Sequence, residues 1–138
     1  MLNYDIQFKN TFEGVLKASR GDINIGMKDG EASPYELLCG ALASCLYATF
    51  LEIVGKKKLL FDSCRINITG EKRTIVPTTL EWVKVEFNIQ VTKDQETNEK
   101  AFIKSAELAT KYCSIFQTIS QVAKMEHSVR FIEGESCD

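Results

Sequence analysis

SPYELLCGALASC, residues 33–45, decides how the rest of this chain is read. Ser33 is a helix N-cap residue, Pro34 suits the first helical position, and Glu36 stands where a capping box places its carboxylate. The predicted helix runs on to about Val54, past Gly40, Ala41, Ala43, Ser44 and Ala48, residues small enough to admit another backbone or a substrate. Cys45 lies in its middle. Gly55 is expected in the left-handed conformation that closes a helix, with Lys56, Lys57 and Lys58 as a solvated end beside the negative pole of the helix dipole. The helix is apolar nearly all round, so it should be a buried core helix, and a symmetric partner subunit would cover it better than one small sheet. Its longest apolar run, Leu37 to Leu51, is shorter than the roughly 20 residues that cross a bilayer. No membrane partner is expected.

Upstream, Leu2 to Phe8, Phe12 to Ala18 and Ile23 to Met27 alternate as strands around the turn Arg20-Gly21-Asp22. Downstream, Phe61 to Lys72 and Leu80 to Val91 read as long half-buried strands, joined through Thr74 to Thr79, where Pro77 argues against a central strand. After Asp94 the period becomes helical, with Phe102, Ala106, Ala109 and Cys113 on one stripe. Ser114 is expected to cap a third helix carrying Ile115, Ile119, Val122 and Ala123, before a strand from Ser128 to Ile132 and a polar tail, Gly134 to Asp138. This order predicts one α+β domain over residues 1–138, with antiparallel sheets packed on the long buried central helix.

Composition narrows the function. Hydrophobic residues make up 44% and charged residues 26%, with a formal charge of -2, so neither a disordered chain nor a nucleic-acid partner is implied. The five cysteines are odd in number and form no CxxC, and the amino terminus lacks the plan of a signal peptide, which fits a reducing cytoplasm. His127 is the single histidine, so no metal set is expected, and neither GxGxxG nor GxxxxGK is present to hold a nucleotide cofactor. No cofactor is expected.

The chemistry then rests with cysteine, a redox-capable nucleophile that is also among the most buried residue types. Cys39 lies six residues before Cys45, about 240° around the helix, so these two cannot bridge within it. Cys39 and Cys64 read as packing residues, and Cys137 as an exposed thiol of the tail.

SPYELLCGALASC, the lysine-marked helix end, the two long strands and KYCSIFQTIS together resemble the OsmC/Ohr family of thiol peroxidases, over nearly the whole chain. The resemblance implies the OsmC-like fold as an intertwined homodimer with sites at the subunit interface. It implies that Cys45 attacks an organic hydroperoxide, that Cys113 resolves the sulfenic acid as a disulfide, and that a small or protein-bound dithiol restores both, in oxidative-stress defence. Two positions depart from the family's pattern. Its acidic residue directly after the proline is here Tyr35, with Glu36 one step later, and the arginine expected after an early-strand glycine is Val15, with Arg20 the nearby arginine.

A free thiol titrates near ~8.5, and burial raises it, so a peroxidatic cysteine needs help to ionise. An arginine would supply that help and a carboxylate would orient it, which makes Arg20 and Glu36 the candidate supporting residues. Tyr35, Leu38, Leu42 and Phe116 are the candidate pocket, apolar enough to favour an alkyl or lipid hydroperoxide. The alternative is a noncatalytic module of the same fold that binds a small apolar ligand or senses redox state, favoured by Tyr35 and Val15.

Overall fold

The first strands follow from alternation. In the computed structural model, which describes residues 1–92 and 98–133, β1 (Ile6–Phe8), β2 (Gly14–Ala18) and β3 (Gly21–Ile25) form an antiparallel sheet in the order β1-β2-β3. Ile6, Leu16 and Ile23 share one cross-strand row and Gln7, Val15 and Asn24 the next, so one face is apolar and the other, with Lys17 and Asp22, is polar but for Val15. Gly14 has no Cβ because the Phe8 ring lies where one would be. These strands belong to a compact unit, Met1–Gly40. It also holds the capping box: the Ser33 N–H donates to Glu36 Oε1 at 3.0 Å.

From Pro34 the chain forms α1 (Pro34–Lys56), whose residues from Ala41 onward belong to a second unit. Gly55 stays helical. The left-handed residue is Lys58, with φ 56°, and the Leu59 N–H closes the end on the Val54 carbonyl at 3.0 Å. The lysines are not simply solvated either. Lys57 Nζ donates to the Oγ of Ser105, a fully buried residue, at 2.9 Å, and Lys56 pairs with Glu52 at 3.3 Å.

At 23 residues α1 is longer than the apolar run read from the sequence, and by length and composition alone it would span a bilayer. Its stripe Leu42, Leu46, Phe50 and Val54 is instead packed into the core. The rest is not covered as a core helix would be: Leu51 is 47% exposed.

β4 (Ser63–Lys72) and β5 (Leu80–Val91) pair antiparallel, and Cys64, Ile66 and Ile68 face Ile89, Phe87 and Val85. After α2 (Glu99–Tyr112) and α3 (Ser114–Ser120), β6 (Lys124–Glu133) pairs with β5 in parallel, a correction to the expected all-antiparallel pattern. The two helices carry the chain back along β5, so β6 starts opposite Trp82 and runs the same way to Val91. The α+β class stands, with a mixed second sheet. Phe50 ties the layers together, its ring centroid 5.4 Å from Phe87, 5.9 Å from Phe61 and 6.4 Å from Phe102, which in turn meets Phe131 of β6 at 6.1 Å. Two expectations, the change of period after Asp94 and the tail with Cys137, lie on or beside residues outside those described.

Candidate active site

Cys45 sits one turn after Leu42 on α1, half-buried, and its carbonyl accepts the Thr49 hydroxyl at 2.9 Å. The second thiol is placed by a helix junction. α2 ends at Tyr112 and α3 begins at Ser114, so Cys113 alone separates them, in an extended conformation at φ −73°, ψ 114°. It closes α2 by donating its N–H to the Ala109 carbonyl at 2.8 Å, and it opens α3 by accepting the Phe116 N–H on its sulfur at 3.4 Å. The N-cap is therefore Cys113 and not Ser114, which is the first helical residue.

That shift of one residue has a chemical result. The first N–H groups of a helix have no intrahelical acceptor. Cys113 takes that of Phe116, that of Ser114 points to the sulfur of Cys45, and that of Ile115 is shared between the two sulfurs. Burial acts to raise the Cys45 thiol. It is outweighed by hydrogen bonds from the Cys113 thiol, the Ile115 N–H, and the hydroxyl and N–H of Ser114, so Cys45 is held below the ordinary thiol range. Cys113 goes the other way: burial first, then its bond to Cys45 and the charge there, push it up to about 11 against the opposing N–H groups of Phe116 and Ile115. The pair thus divides the labour of one proton, with negative charge favoured on Cys45 and the hydrogen kept on fully buried Cys113. None of the leading influences on Cys45 is an arginine, a lysine or a carboxylate.

The other predicted residues fall as follows. Leu42 and Phe116 are core residues of the second unit, 1% and 7% exposed. Glu36, Tyr35, Leu38 and Arg20 belong to the N-terminal unit. The Glu36 carboxylate accepts the hydroxyl and the N–H of Ser33, which hold it below its usual range. Tyr35 is exposed, Leu38 half-buried, and Arg20 exposed in the turn between β2 and β3. Val15, at the position where an arginine was expected, lines a cleft of about 540 Å³ with Gln7, Lys9, Glu13, Lys17 and Asn24. Cys64 is raised to about 11 and Cys39 is raised, both by burial, as packing thiols are. His127 is exposed on β6. Among the described residues no three His, Cys, Asp or Glu side chains converge on a metal position. Sequence reasoning missed Ser114 and Ile115 as partners of Cys45. The signal was a cysteine directly before a helix start.

A family model described as OsmC-like protein matches residues 27–128. No protein of curated function matches. Among solved structures, a hypothetical protein from Aquifex aeolicus VF5 superposes with a TM-score of 0.84 at 24% identity, over 96% of this chain and 97% of that one. An OsmC-like protein from Mycoplasma pneumoniae gives 0.78 at 18%, over 95% and 98%. The organic hydroperoxide resistance protein OhrB of Bacillus subtilis gives 0.62 at 15%, over 94% and 98%. At these identities the superpositions establish the shared fold.

Proposed function

We propose, from the premise that this chain belongs to the OsmC-like family, that it is a thiol-dependent peroxidase acting on organic hydroperoxides. The observation that carries this reading is the Cys45–Cys113 pair: an activated thiol hydrogen-bonded to a protonated second thiol at a helix junction. Cys45 as thiolate attacks the peroxide and becomes a sulfenic acid, and Cys113 displaces its hydroxyl to form a disulfide. A dithiol, small or protein-bound, then reduces the disulfide. The likeness to OhrB of Bacillus subtilis, an organic hydroperoxide resistance protein, supports an organic hydroperoxide as the substrate; Leu42 and Phe116, expected as pocket walls, are core residues and offer no such surface.

The working form in this reading is a homodimer in a reducing cytoplasm, a compartment that returns a thiol pair such as Cys45 and Cys113 to the reduced state. Each unit separately leaves apolar surface for a second copy: Ile6 at 46%, Phe8 at 50% and Ile23 at 41% on the first sheet, and Leu51 at 47% on α1.

A noncatalytic module that binds a small apolar molecule or senses redox state is the second reading, favoured by Val15 in place of an arginine. Product mapping separates the two. Reduced protein treated with one equivalent of cumene hydroperoxide should yield a Cys45–Cys113 disulfide as the main product. Oxidation spread over Cys39, Cys64 and Cys137, with no such bridge, would favour the second reading.

A further inference from the structure

The first half of the proposed reaction needs an acid. When a thiolate attacks an alkyl hydroperoxide, an S–O bond forms, the O–O bond breaks, and the leaving alkoxide is a strong base that must be protonated. The Glu36 carboxylate is bound to Ser33 and held in its ionised form, and no cation leads the influences on Cys45. What does lie on Cys45 is the thiol of Cys113.

Three features of Cys113 suit it to give up that proton. It is 0% exposed, so its hydrogen is not shared with bulk water. Its sulfur accepts the Phe116 N–H at 3.4 Å, and its thiol is hydrogen-bonded to Cys45. The Phe116 N–H also remains in place to stabilise the thiolate left behind.

We propose that Cys113 is the general acid of the first step as well as the resolving nucleophile of the second. This inference rests on the peroxidase reading above. Cys45 thiolate bonds to the outer peroxide oxygen, the O–O pair departs with the alkoxide, and the Cys113 proton converts it to the alcohol. Cys45 is then a sulfenic acid and Cys113 a thiolate. That thiolate attacks the Cys45 sulfur, the S–S bond forms, the S–O bond breaks, and hydroxide leaves to take the proton that Cys45 released to solvent on ionising. The peroxide gains two electrons and the two sulfurs lose them. Proton donation thus generates the resolving thiolate only after Cys45 has been oxidised.

A leaving group that needs no proton provides the test. Peracetic acid releases acetate, whereas tert-butyl hydroperoxide releases an alkoxide. Sulfenic acid formation at Cys45 is followed in a quenched-flow single turnover, trapped with dimedone, in wild type, Cys113→Ala and Cys113→Ser. Any change in Cys45 ionisation affects both oxidants alike and cancels in the ratio of their rates. The expected result is a loss of roughly 10²-fold or more in the tert-butyl hydroperoxide rate relative to peracetic acid for Cys113→Ala, the usual worth of a positioned acid, with part restored by the hydroxyl of Cys113→Ser. Should Cys113→Ala not fold, the same ratio in Cys113→Ser, reduced from wild type, carries the test. An unchanged ratio with fast wild-type oxidation overturns the inference alone and leaves Cys113 as a resolving residue. Wild-type oxidation no faster than free cysteine overturns the peroxidase reading and this inference with it.

Discussion

The Cys113 sulfur meets the backbone N–H of Phe116 at 3.4 Å, so the residue that joins α2 to α3 also caps the second helix with its side chain. With that contact made, the Ser114 donors are left for Cys45 and the Ile115 N–H is shared by the two sulfurs. A helix junction, and not a cation, is what lowers this thiol.

Ser114 is accordingly a residue whose hydroxyl matters to Cys45. Ser114→Ala removes that donor and keeps the backbone N–H. The pH profile of Cys45 alkylation by iodoacetamide should move to higher pH. Ser120→Ala, at the far end of α3, should leave it in place. Superimposable profiles for Ser114→Ala and wild type would mean that the hydroxyl plays no part.

The end of α1 gives a backbone test. Gly55 is helical with open space where a Cβ would go, so Gly55→Ala should stabilise the protein by up to about 1 kcal/mol. Lys58 carries the left-handed φ of 56°, and Lys58→Gly should stabilise it by a similar amount, about 1 kcal/mol. Urea denaturation measures both. Destabilisation by Gly55→Ala would return the left-handed position to Gly55.

Phe50 is 0% exposed and its ring meets those of Phe61, Phe87 and Phe102. Phe50→Ala should cost about 3–5 kcal/mol, the range for a buried aromatic truncated in a packed core. Chemical denaturation would show this as a large drop in midpoint, and a loss under about 1 kcal/mol would contradict the packing described.

The capping box has a pH signature. The Glu36 pKa is lowered from 4.5 by its bonds to Ser33, so the folded state favours the ionised carboxylate. The stabilisation is therefore present above pH 4.5 and is lost as pH falls through the lowered folded value. Glu36→Gln should be less stable than wild type near neutral pH, and the gap should close in acid. A gap independent of pH would remove the carboxylate's charge from the account.

Most of the fold is legible in the sequence because each element carries a period and a boundary of its own. Ser33-Pro34-Tyr35-Glu36 opens α1 by local chemistry, β4 alternates through Cys64, Ile66 and Ile68, and β5 alternates from Val83 to Val91. What fails to show is set by tertiary pairing. β6 spans Lys124–Glu133, beyond Ser128 to Ile132, because its first residues gain their hydrogen bonds from β5 and not from any alternation of their own. Its parallel direction depends on the return path of α2 and α3. The thiol pair is legible through the resemblance, but its activation is not. Serine is the expected cap, so Cys113 in that role, and Ser114 turned toward Cys45, emerge only with the helices in place.

Whether Cys45 is a peroxidatic thiol is decided by stopped-flow oxidation of the reduced protein by cumene hydroperoxide and by hydrogen peroxide, in wild type and Cys45→Ser. The expected result is fast oxidation by the organic peroxide, slower oxidation by hydrogen peroxide, and loss of the fast phase in Cys45→Ser. A rate no greater than that of an ordinary exposed thiol, or one that survives Cys45→Ser, would contradict it.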